Sequence, residues 1–76
     1  MTSQRSSPTA AQHLERAEML VVEGEKQVHR QKQFITAMER AGEELALAQE
    51  VLDILLDDQS LRVVARDRLL NETAKA

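Results

Sequence analysis

The sequence predicts an all-α fold in which two long antiparallel helices form a hairpin, and three observations lead there. The 76 residues include only two glycines and one proline, too little turn-forming material for a β-fold. Apolar residues recur with a seven-residue period through both halves of the chain. Between those halves stands Gly42, where a left-handed cap ends one helix before the next begins.

Residues 1–8 are mostly small and polar, and a disordered tail is expected there. The first helix has two possible starts. Either Ser7 caps it with Pro8 at the first helical position, or Thr9 caps it and Gln12 completes a capping box. The helix then runs to about residue 41. Only Gly24 interrupts its helix formers, weakening it by roughly 1 kcal/mol relative to alanine. One face carries Leu14, Val21, Val28 and Ile35 at seven-residue spacing, with Ala17, Gly24, Gln31 and Met38 between them. Leu20, Phe34 and Ala41 widen this seam, while Glu18, Glu25, Lys32 and Glu39 run along its polar edge. One narrow apolar face places this helix at a periphery.

A turn at residues 42–44 leads into a second helix expected over about 44–71, with Glu43 and Glu44 suited to its N-terminus. Residues 73–76 are expected to fray, so that the hairpin as a whole spans 9–72. The second helix is apolar over about twice the stripe of roughly 100° that one partner helix covers. Leu45, Leu52, Leu56, Val63 and Leu70 are assigned to the seam against the first helix. Leu47, Val51, Ile54, Leu55 and Leu61 are assigned to a stripe that the first helix does not cover. Only Glu50, Asp53, Asp57, Ser60, Asp67 and Asn71 form a clearly wet strip.

Charge order favours the antiparallel arrangement. With residue numbers summing to about 86 across the turn, Lys26, His29, Arg30 and Lys32 fall near Asp53, Asp57 and Asp58. Glu15, Glu18, Glu23 and Glu25 fall near Arg62, Arg66 and Arg68. Each exposed pair contributes at most about 1 kcal/mol, so the pattern serves register more than stability. Gln31, Gln59, Arg62 and Arg66 stand at seam positions where leucine would be more stable. Either their stems lie on the apolar face with polar heads at its edge, or they fix register and partner number.

A core this small supplies no more than about 3–5 kcal/mol, and a bare hairpin supplies less. An uncovered stripe of Leu47, Ile54 and Leu61 marks an interaction surface. The simplest cover is a second copy, helix 2 on helix 2, giving a dimeric four-helix bundle. The alternative cover is a different, unidentified protein.

Composition excludes several functions. There is no cysteine for a disulfide scaffold or thiolate metal site, and Phe34 is the only aromatic residue available to stack bases or cage cations. His13 and His29 are sixteen residues apart, and neither completes the Glu-x-x-His spacing of a bundle di-metal site. Glu25 and His29, one turn apart, read as a surface ion pair. Asp53, Asp57 and Asp58 beside Glu50 read as a solvated edge. No serine–histidine arrangement and no glycine-rich phosphate loop is present, so no catalytic, cofactor-binding or metal-binding residue is assigned. The net charge of −3 exerts no pull on nucleic acid or anionic lipid, and the two basic clusters face acidic ones. Apolar runs are short, as at Ile54-Leu55-Leu56, so no membrane span is expected. Residues after Arg5 do not form a signal-peptide core, which favours the cytoplasm; the sequon at Asn71, Glu72 and Thr73 then reads as chance.

Several pieces of the chain form a recognisable pattern: His13-Leu14-Glu15-Arg16-Ala17, Val22-Glu23-Gly24-Glu25, Val28 with Gln31, Gly42, Ala48 with Leu52, and Arg66-Asp67-Arg68-Leu69-Leu70. The pattern, over about residues 13–71, resembles a group of small, uncharacterised alphaproteobacterial proteins expected to be coiled-coil helical hairpins. The resemblance implies that fold and carries no activity. Members often have Asp-Thr just after the hairpin glycine, suited to capping helix 2. Glu44-Leu45 stands there in this chain. Taken together, the expectation is a non-enzymatic, self-associating interaction module, a small regulator or adaptor. The alternative is a nucleic-acid-associated regulator.

Overall fold

The computed structural model describes residues 9–75. Over that range the chain is all-helical, with α1 spanning Ala10–Ala41 and α2 spanning Ala46–Lys75, packed side by side and antiparallel. The expected tail at residues 1–8 and the last residue lie outside the described range, as does the alternative cap at Ser7.

At the start of α1, the Gln12 backbone N–H donates to the Thr9 hydroxyl at 3.1 Å, and the Thr9 N–H donates to the Gln12 side-chain oxygen at 2.9 Å. This reciprocal capping box satisfies two of the donors that a helix start leaves open. With 32 residues, α1 extends about 48 Å. It ends on Gly42, whose φ of 72° is left-handed, a conformation that glycine adopts without a Cβ clash. The Glu43 N–H reaches the Met38 carbonyl at 3.0 Å and the Gly42 N–H reaches Glu39 at 3.1 Å, the paired bonds of a Schellman motif.

The start of α2 differs from expectation. The helix begins at Ala46 rather than 44, and its first backbone bond runs from the Gln49 N–H to the Leu45 carbonyl at 2.9 Å. Leu45 therefore holds the capping position with no side-chain acceptor to offer. Glu43 and Glu44 precede the helix and place their charges before its positive end. At the other terminus, residues 73–75 are helical rather than frayed, and the Thr73 hydroxyl donates to the Leu69 carbonyl.

Small residues form much of the contact between the helices. Ala17, Val21, Gly24 and Ile35 are buried in α1 and Ala48 in α2, while among the described residues no large side chain is fully buried. Leu14, Val28, Gln31 and Met38 complete the α1 seam as half-buried residues. Its partners on α2 are Leu45, Ala48, Leu52, Leu55, Gln59, Arg62, Arg66 and Leu69, which alternate at three- and four-residue spacing. Val63 is half-buried beside them.

Three assignments change as a result. Leu55, placed in the outer stripe, points into the seam. Leu56 and Leu70, placed in the seam, are 40% and 43% exposed on its edge. A helix apolar around most of its circumference does not reveal its inward side by apolar count, and here α2 is rotated so that Leu55 and Leu69 face inward.

Candidate interaction surface

Three polar seam residues bind the hairpin together. The Gln31 side-chain amide donates to the Ala48 carbonyl at 2.8 Å, that of Gln59 to the Val21 carbonyl at 2.9 Å, and Arg62 Nη1 to the Leu20 carbonyl at 2.9 Å. Each long side chain crosses the interface and reaches the backbone of the opposite helix. A residue with no side chain makes this approach possible. A methyl group on Gly24 would lie 1.6 Å from Gln59 Oε1, 2.7 Å from its Cδ and 3.1 Å from Arg62 Nη1. The Gln59 carboxamide thus occupies the space where a Cβ would be.

Gln59 Oε1 is itself buried and has no hydrogen-bond partner. Turning the amide over would aim that oxygen at the Val21 carbonyl, so the orphaned acceptor is the smaller of two penalties. The fourth polar seam residue behaves differently. Arg66 turns outward to Asp67, 3.0 Å away on its own helix.

The residue numbers joined by these side-chain-to-backbone bonds sum to about 80, while side chains that meet across the seam, such as Arg62 beside Gly24, sum nearer the expected 86, because helical side chains lean toward their own N-termini. The expected charge pairing between the helices does not form. Among the described residues, the single ion pair within 4.0 Å is Arg66 with Asp67. Arg62, expected opposite glutamates, is engaged by a backbone carbonyl instead, and Lys26, His29, Arg30 and Lys32 do not come within ion-pair distance of Asp53, Asp57 or Asp58.

The two edges of the seam differ in chemistry. On one, Glu25, His29 and Lys32 of α1 line a shallow depression together with Val28, Leu56 and Gln59. In an antiparallel pair, corresponding edges of the two helices lie side by side, so Leu20 and Phe34 share the opposite edge with Val51. Leu47, Ile54 and Leu61 form the shoulder of α2 next to that edge, and are 71%, 60% and 68% exposed. Leu20, Phe34 and Val51 are exposed as well. The outcome is a largely apolar face along the hairpin, built from both helices and interrupted by Gln27 and Asp58. The contribution of α1 was visible in the sequence as the widening of its seam at Leu20 and Phe34.

Among the described residues, no group of three or more His, Cys, Asp or Glu side chains is placed to hold a metal ion. No described helix is long and apolar enough to cross a membrane. Comparison with protein-family models, with curated proteins and with solved structures returns no match to this chain. The structure defines its class: a two-helix hairpin with a polar-stitched seam and one apolar face in solvent.

Proposed function

We propose that this chain is a non-enzymatic protein–protein interaction module that acts in the cytoplasm as a small regulator or adaptor. It self-associates through the apolar face centred on α2, two hairpins forming a four-helix bundle. One observation carries this reading: Leu47, Ile54 and Leu61 remain more than half exposed while no large side chain among the described residues is fully buried. Complete burial of such a side chain is worth about 1.5–3 kcal/mol, so this face withholds several kcal/mol per copy from a fold that has little to spare. Covering it stabilises the hairpin and creates the interface in one step.

The test replaces Ile54 or Leu61 with glutamate and measures molar mass by light scattering alongside helicity by circular dichroism. Wild type is expected to run as a dimer, and both variants to run as monomers with reduced helicity. Met19→Glu, on the outer face of α1, is expected to keep the dimer. A wild type that stays monomeric and helical at micromolar concentration, or nucleic acid retained through moderate-salt purification, would overturn the proposal.

A further inference from the structure

The apolar face has a symmetry of its own. The cross-helix bonds place Ile54 level with about residues 25–28 of α1, because the joined residue numbers sum to about 80. Leu47 and Leu61 lie seven residues on either side of Ile54. Leu20 and Phe34 lie seven residues on either side of Gln27. The stripes of the two helices therefore share one midpoint, although they come from unrelated stretches of sequence.

Given the self-association proposed above, the geometry points to one partner and one arrangement: a second copy related by a two-fold axis perpendicular to the helices at the level of Ile54 and Gln27. This operation lays α2 antiparallel on α2 of the other copy. Ile54 meets its own equivalent, Leu47 meets Leu61, and Leu20 of α1 meets Phe34. The large apolar side chains are thus matched at three levels, as a self-complementary interface requires, while Val51 falls level with Asp57 of the other copy.

Asp58 disfavours copies that run α2 in the same direction, although the perpendicular axis still sets it level with Glu50 of the other copy. It interrupts the stripe between Ile54 and Leu61, and a parallel pairing sets the two Asp58 carboxylates against each other. The perpendicular axis separates them by about eight residues, or about 12 Å along the helix. Placing α2 on the partner's α1 instead sets Ile54 against the Gln27 amide and loses the match. Area is consistent with a stable dimer. The six exposed side chains of the face, at roughly 100 Å² each, supply most of the ~800 Å² per partner of a standard interface, and the half-buried Gln27 and the exposed Asp58 and Ala65 lie among them.

The chain has no cysteine, so single cysteines report the arrangement directly. With oxidised glutathione as oxidant, Ile54→Cys is expected to move most of the chain to twice its mass on non-reducing gels. Leu47→Cys alone is expected to stay unlinked, its equivalents lying about 21 Å apart along the helix, beyond disulfide reach. Mixed with Leu61→Cys, it is expected to form the linked heterodimer. Self-linking of Leu47→Cys overturns the axis. So does failure of both Ile54→Cys and the Leu47/Leu61 mixture to link in samples with dimer mass before oxidation. Monomer mass in those samples contradicts self-association itself, which separates the two failures.

Discussion

Gly24→Ala provides the sharpest probe of the stitched seam. In an ordinary helix the substitution gains about 1 kcal/mol. Here the new methyl would fall 1.6 Å from Gln59 Oε1, so the Gln59 side chain must swing away and release the Val21 carbonyl. Losing that hydrogen bond costs about 0.5–1.5 kcal/mol, because Val21 keeps only its bond within α1. The two effects nearly cancel, and Gly24→Ala alone is expected to change stability by less than about 0.5 kcal/mol in either direction. In a Gln59→Ala background the obstruction is gone, and the same substitution is expected to stabilise by about 1 kcal/mol. The double-mutant cycle should thus return a coupling of about 0.5–1.5 kcal/mol. Urea denaturation followed by circular dichroism measures it, with all four proteins at one concentration because stability of an oligomer depends on it. Additivity within about 0.3 kcal/mol would refute the contact between Gly24 and Gln59 and the register built on it.

Two further outcomes follow from other parts of the hairpin. Gly42→Ala is expected to lose about 1–2 kcal/mol from backbone strain alone, since nothing lies within 4 Å of the added methyl; Gly42→Asn should lose less, and equal losses would contradict the left-handed cap. Raising salt from low to moderate concentration is expected to shift stability by less than about 0.5 kcal/mol, since no ion pair joins the described parts of the two helices; a clear loss in the same urea titration would restore the charge-paired register.

The seam of α1 was legible because its apolar residues occupy one narrow face: Leu14, Val21, Val28 and Ile35 leave a single orientation that buries them together. Gly42, and Thr9 as one of two possible starts, were legible for a related reason, as each depends on local chemistry only. The orientation of α2 was not. With leucines at 45, 47, 52, 55, 56, 61, 69 and 70, its apolar character is spread too widely to identify Leu55 rather than Leu56 as the inward residue. Close packing settled it. Ala17, Gly24 and Ala48 bring the backbones near enough for Gln31, Gln59 and Arg62 to span the gap. The signal was present as small residues and amides at matching seam positions, but charge order outweighed it and suggested ion pairs that do not form among the described residues. Exposed charges on long, flexible stems constrain register weakly, whereas a carboxamide seated over a glycine tolerates little displacement.

The central claim is that the hairpin is half of a bundle, and its molar mass in solution tests this most directly. Sedimentation equilibrium over a range of micromolar concentrations is expected to give twice the 8.6 kDa of the chain, with helicity lost only as the dimer dissociates on dilution. A mass of 8.6 kDa with full helicity throughout that range would contradict it.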